Sequence, residues 1–166
     1  MSMRMNTGFT LIELLIVVAL IGVLSALGAP FLVAAKSSAN EASAISSLRT
    51  LNSGQAAYAS GCGGGAYSAS LAGLVSGDYV SRDLDISPKS GFAFALAVAA
   101  YPTGPADCTG AATYRGYYFS ADPLGVTTGR RGFATNQGGT IWQDTSGAAP
   151  VEPFVAAGTV SPLATQ

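Results

Sequence analysis

Glu13 is the only ionisable side chain in an otherwise apolar run from Phe9 to Ala35, FTLIELLIVVALIGVLSALGAPFLVAA. An ionised carboxylate in hydrocarbon costs about 2.5–3.5 kcal/mol at a helix centre and less near the interface, so Glu13 needs a partner. The residues before it offer one. Cleavage after Gly8 in GFTLIE would free an α-amine on Phe9, a cation at membrane depth close to Glu13 of a neighbouring helix. Charge neutralisation between chains would then favour assembly and set its register.

The other reactive side chains point to little chemistry. There is no histidine, which removes the commonest general base and the commonest zinc ligand. The two cysteines, Cys62 and Cys108, are too few for a cysteine-only zinc site, and they pair or stay free according to compartment. Asp78, Asp83 and Asp85 lack the alternating oxygen pattern with a central glycine of a calcium loop, so they read as solvated acids. Arg130-Arg131 reads as a solvated corner, and Tyr101, Tyr114, Tyr117, Tyr118, Phe119 and Trp142 as sheet core and cross-strand pairs. No phosphate loop or nucleophile motif is present, and no cofactor or metal is expected. A formal net charge of -1 with a low charged fraction gives no footprint for nucleic acid. These features argue against an enzyme.

The element that must position Glu13 is a helix. The 27 residues from Phe9 to Ala35 would span roughly 40 Å at about 1.5 Å per residue, more than the roughly 30 Å of bilayer hydrocarbon. The leader MSMRMNTG carries Arg4 as its only charge, which favours an orientation with the N-terminus in the cytoplasm and the remainder outside. A cleavable secretory signal, cut near Ala29 in SALGA, and a plain signal anchor are the alternatives. The run is long for a signal core, and neither alternative gives Glu13 a use.

The stretch Gly8-Phe9-Thr10-Leu11-Ile12-Glu13-Leu14-Leu15 resembles the prepilin cleavage and methylation motif shared by type IV pilins and type II secretion pseudopilins. The resemblance implies a prepilin peptidase cutting between Gly8 and Phe9, N-methylation of Phe9, and a role for Glu13 in subunit registration. Gly22 and Pro30 fall where many members carry helix-loosening residues, although either is also ordinary in a membrane helix. Further implied partners are identical or related pilin subunits and an inner-membrane assembly platform, with membrane lipid around the helix before assembly. The close motif covers about residues 8–35; beyond it the likeness is one of architecture.

From Lys36 to about Ala59 the helix should continue, with Ile45, Leu48, Leu51, Gln55 and Tyr58 on one face and Gln55 as the polar exception. Both parts together would make a rod of about 50 residues, on the order of 75 Å. Cys62-Gly-Gly-Gly stops it. Residues 68–85 read as a short helical or irregular excursion in which Leu71, Leu74, Val75, Tyr79 and Val80 could cap the core. Phe92–Tyr101, Thr113–Ala121, Arg131–Thr135 and Thr140–Asp144 read as an antiparallel meander, the last two joined by a hairpin loop at Asn136-Gln-Gly-Gly139. From Ser146 to Gln166 no period is visible, and a loosely held surface strand or flexible end is expected.

The expected fold is α+β and pilin-like: a long N-terminal transmembrane and filament-core helix packed on a small antiparallel β-sheet head. Its parts are a leader at 1–8, an assembly half of the helix at 9–35, an amphipathic continuation at 36–60, a head at 61–145 and the tail at 146–166. The functional expectation is a structural subunit of a type IV pilus-like filament, held in the inner membrane as a single-pass precursor and extracytoplasmic once assembled. A pseudopilin of a type II secretion system is the alternative, and a signal-anchored extracytoplasmic binding domain a second one. An oxidising compartment for the head predicts a Cys62–Cys108 disulfide, with two free thiols as the competing state. Closing a loop of about 47 residues would stabilise the head by about 4 kcal/mol in the chain-entropy model. Non-reducing peptide mapping is expected to recover the two cysteines as one linked pair; recovery of both as free thiols would remove the claim.

Overall fold

The computed structural model describes residues 8–163, without the side chains of residues 28–30. In chain order the elements are α1 (Leu11–Gly61), β1 (Tyr67–Ser68), α2 (Leu71–Ser76), a 3-10 turn (Arg82–Leu84), β2 (Phe92–Ala97), β3 (Thr113–Tyr114), β4 (Tyr118–Pro123), β5 (Gly132–Asn136), β6 (Ile141–Asp144) and β7 (Val160–Pro162). The chain divides into two compact units, residues 1–35 and 36–166. The described part of the first is residues 8–10 and the N-terminal segment of α1.

In the second unit, residues 36–61 of α1 lie against an antiparallel sheet of order β2-β4-β5-β6-β7, and β1 pairs with β3 as a separate ribbon. The buried helix positions Ser37, Glu41, Ala44, Leu48, Leu51, Gln55 and Tyr58 fall alternately four and three residues apart, with Ser47 and Gly54 buried beside them, which keeps one stripe of the helix on the sheet. Leu48 and Leu51 are fully buried against the core that Phe92, Phe119 and Phe133 contribute from three neighbouring strands. The period-2 alternation of β4 and β5 turns Phe119, Ala121, Phe133 and Thr135 inward and Tyr118, Asn136 and Ala134 to the opposite side of the sheet. The hairpin between β5 and β6 closes with Gly139 donating its amide to the Asn136 carbonyl at 2.9 Å, and Gly139 takes the positive φ of 74° that the turn needs.

Gln55, Asn52 and Glu41, on this side of the helix, bond to main-chain and side-chain groups of the second unit. Gln55, wholly buried, accepts from the Ser68 amide at 2.8 Å and donates to the Ser68 carbonyl at 3.2 Å, so the side-chain amide pairs with β1 much as a strand would. Asn52 donates to Thr135 Oγ1 and accepts from the Tyr117 hydroxyl. Glu41 accepts the Arg130 amide at 2.7 Å and the Arg131 amide at 3.2 Å on Oε1, and the Arg131 Nε at 2.8 Å on Oε2. Among the described residues no buried side-chain nitrogen or oxygen lacks a partner.

Two sequence expectations are corrected here. Thr113–Ala121 is not one strand: its first two residues pair with β1 at Tyr67↔Tyr114, and only from Tyr118 does the chain join the main sheet. The Arg115 amide donates to the Pro102 carbonyl in between, so the crossing from one sheet to the other is itself hydrogen-bonded. Likewise Phe92–Tyr101 is a strand only as far as Ala97, where pairing with β4 ends at Tyr118. Beyond β6, the chain is held as a strap across the outer side of the sheet. The Ala149 amide donates to Asp122 Oδ1 at 2.7 Å, the Tyr118 hydroxyl donates to the Pro150 carbonyl at 2.8 Å, and the Phe154 ring stacks on Trp142 at 5.4 Å. Gly132 lies so close beneath this strap that a Cβ there would come within 2.1 Å of the Ala148 carbonyl carbon. The strap returns the chain as β7, paired with β6 at Gln143↔Ser161.

Burial alone would raise the Glu41 carboxyl, but the Arg130 amide and the Arg131 guanidinium and amide outweigh it and hold the group below its ordinary value of 4.5. A depressed folded value means stability that is fully present above the unfolded value and lost as pH falls through the folded one. Glu41→Gln keeps the shape and removes the charge. It is expected to cost about 1.5–3 kcal/mol at neutral pH, the range for hydrogen bonds to a charged group. A fully buried pair would lose more, but the Arg131 side chain is 37% exposed. Chemical denaturation at neutral pH and below pH 4.5 checks both parts: the gap between wild type and Glu41→Gln should narrow on acidification. A constant gap would show that the Glu41 charge does not hold the helix to the sheet.

Candidate functional site

Every described side chain from Phe9 to Leu27 and from Phe31 to Lys36 is exposed. Leu11, Ile12 and Leu14 show 81%, 66% and 57% of their surface, and these positions point in different directions around the helix axis. The segment is therefore apolar all round, long enough and hydrophobic enough to cross a membrane. Such a surface has two stable surroundings, lipid or other apolar helices.

The start of this helix is built by two residues. Thr10 is the residue before the first turn, and its Oγ1 accepts the Glu13 amide at 3.3 Å while donating to Glu13 Oε2 at 3.4 Å. The arrangement is a variant of the capping box, in which a Thr at the helix cap and a Glu three residues on satisfy amides that the helix itself leaves unpaired. The carboxylate also lies at the positive end of the helix dipole. Glu13 thus has a fixed place at the helix mouth, and among the described residues no cation pairs with it. The Thr10-x-x-Glu13 spacing was the readable signal for this cap.

Of the remaining sequence-selected residues, Gly8 and Phe9 precede α1, with Phe9 70% exposed and no atom within 4 Å of where a Cβ on Gly8 would stand. The rest of the leader, including Arg4, lies outside the described residues. The helix runs through Gly22 and Pro30, and the space beside Gly22 is open.

Cys62 and Cys108 belong to the second unit, where they form a disulfide with Cα atoms 4.9 Å apart, and the Cys108 amide donates to the Cys62 carbonyl at 2.9 Å. Asp107 organises this junction. It accepts from the Tyr58 hydroxyl at 2.6 Å on Oδ2, and from the Thr109 and Ala111 amides at 2.8 Å each on Oδ1. The Tyr58 hydroxyl and these donors hold the Asp107 carboxyl well below the usual range, while burial and the facing carboxylate push Tyr58 up. Nothing in the local sequence marks Asp107, whose partner Tyr58 lies 49 residues away. Asp78, Asp83 and Asp85 do not converge: Asp83 pairs with Lys89 and Ser81, and among the described residues no three metal-ligating side chains cluster.

Thr10→Ala should free the Glu13 amide and weaken the first turn by about 0.5–2 kcal/mol, whereas Thr10→Ser retains the bond. Hydrogen exchange at Glu13 in detergent micelles is then expected to quicken about twofold to thirtyfold in the alanine variant only. Equal protection in all three proteins would show that the cap does not form.

Comparison with known families bears on this segment. Residues 3–29 match the family model of the prokaryotic N-terminal methylation motif, the prepilin-type cleavage and methylation motif of type IV pilins and pseudopilins. No curated protein and no solved structure matches the chain.

Proposed function

We propose that this chain, as a carrier of the prepilin-type motif, is a structural subunit of a type IV pilus-like filament, cut between Gly8 and Phe9 and assembled through α1. The observation that carries the reading is the motif match at residues 3–29, laid over a helix whose side chains from Phe9 to Leu27 are all exposed and whose single carboxylate, Glu13, stands at its mouth. The precursor crosses the inner membrane once, with leader 1–8 in the cytoplasm and the second unit outside. A prepilin peptidase removes the leader and Phe9 is N-methylated, which leaves the amine cationic while replacing one N–H by a methyl group.

The physical logic of assembly follows from the surroundings of the helix. Moving an apolar helix from lipid to a bundle of similar helices gains little from hydrophobicity, because lipid tails are as apolar as the side chains. The ordering force must come from elsewhere. A Phe9 amine brought to about 4 Å from Glu13 of a neighbour is worth about 4 kcal/mol at an effective dielectric of about 20. That offsets much of the cost of holding the two ions in hydrocarbon, about 2.5–3.5 kcal/mol each at a helix centre and less near the interface. The pair would therefore select one axial offset between neighbours. Gly22 and Pro30 would loosen the helix where packing demands it.

Intact mass and N-terminal sequencing of the protein from membranes with and without prepilin peptidase test the reading. The expected product begins at N-methylated Phe9 only when the peptidase is present. A chain that keeps its leader, or one cut near Ala29, would leave an anchored or secreted domain instead. Glu13→Leu should still be cut yet fail to enter filaments, and normal filament yield from it would remove the registration role.

A further inference from the structure

On the outer side of the sheet, between the β5–β6 hairpin and the strap, lies an open cleft of about 560 Å³ lined by Asn136, Thr140, Trp142, Glu152 and Phe154. Its size is ordinary for a small-molecule site, roughly 300–1,000 Å³. We propose that it binds a neutral saccharide residue.

The chemistry of the lining supports this occupant. Glu152 is held at both oxygens, Oε2 by the Tyr101 hydroxyl and Oε1 by Asn136 Nδ2, so the carboxylate is oriented before any ligand arrives. Burial and the facing carboxylate push the Tyr101 phenol well above its ordinary value, so it stays a donor. A carboxylate offers about four acceptor positions and only two are used, which leaves Glu152 able to accept from adjacent hydroxyls. Asn136 Oδ1 accepts the Gly138 amide at 2.9 Å, leaving the second N–H of Nδ2 as a donor, and the exposed Thr140 hydroxyl can serve either way. Trp142 and Phe154, stacked on each other with planes 19° apart, supply the apolar surface on which sugar C–H groups pack.

Other ligand classes match this set less well. No Lys or Arg lines the cleft, so phosphate, sulfate or a carboxylate would meet Glu152 without a counter-charge. A wholly apolar ligand would cover the carboxylate and leave it short of hydrogen bonds. A quaternary ammonium ion would suit the aromatics and Glu152 but would leave the Asn136 N–H and the Thr140 hydroxyl unmatched. A sugar ring presents both vicinal hydroxyls and an apolar face at the spacing of one residue.

Trp142 is the only tryptophan in the chain, so its emission reports on the cleft alone. The full chain in phosphatidylglycerol nanodiscs would be titrated with methyl α-glucoside, methyl β-galactoside and N-acetylglucosamine, and in parallel with tetramethylammonium chloride and sodium acetate. At least one saccharide is expected to shift the emission saturably at millimolar concentration. Glu152→Gln and Thr140→Ala are each expected to weaken that response about tenfold or more. Thr140 is exposed, so its truncation leaves the fold intact and decides the matter if Glu152→Gln loosens the strap. No saturable response to any of the three saccharides, saturation by tetramethylammonium in their place, or wild-type affinity in Thr140→Ala would each overturn the proposal.

Discussion

An apolar helix with no polar side has to be covered, and much of this molecule is arranged around that requirement. At about 25 cal/mol per Å² of apolar surface, leaving the segment from Phe9 to Val33 in water would cost far more than the 5–15 kcal/mol by which a domain of ordinary size is stable. The segment must therefore lie in an apolar surrounding, lipid or other apolar helices. A cap that satisfies the Glu13 amide from within, through the Thr10 hydroxyl, suits such surroundings, because hydrocarbon offers no water to bond the exposed helix end.

The second unit solves the opposite problem. Its helix must keep one seat on the sheet, although Leu48 and Leu51 alone would tolerate sliding, since apolar contacts are not directional. Direction comes from the polar members of the stripe. Glu41 meets two successive backbone amides beside Arg131, Asn52 meets Thr135 and Tyr117, and Gln55 meets Ser68. The disulfide and Asp107 then tie the end of the same helix to the loop before β3.

How much of this could be read from sequence depended on whether the cause was local. The helix stop at Cys62-Gly-Gly-Gly and the Asn136–Gly139 hairpin were legible because glycine dihedrals and turn chemistry act within a few residues. Gln55 stood out in an apolar stripe, but its partner, the main chain of Ser68, carries no side-chain signature. Nothing near Glu41 in the sequence marks it as buried, since the amides it accepts lie about ninety residues on. The division of Thr113–Ala121 between two sheets was invisible for the same reason: the β-propensity of the run is continuous, and only pairing with Tyr67 separates it. The strap was missed because Ala, Pro and Val without a period give no sign that Phe154 will stack on Trp142 or that Glu152 will meet Asn136.

The polar seats of the helix also decide how the second unit carries mechanical load. A pull along the α1 axis would shear the helix against the sheet, and apolar contacts yield to shear because each lost neighbour is replaced by the next. The bonds of Glu41, Asn52 and Gln55 have no such replacement one turn away, where Ile45 and Ala59 would stand in place of Glu41 and Gln55. They resist together, spread over some four turns of helix, so that tension is shared rather than met one bond at a time. The helix is seated less like a greased rod than like a toothed rack.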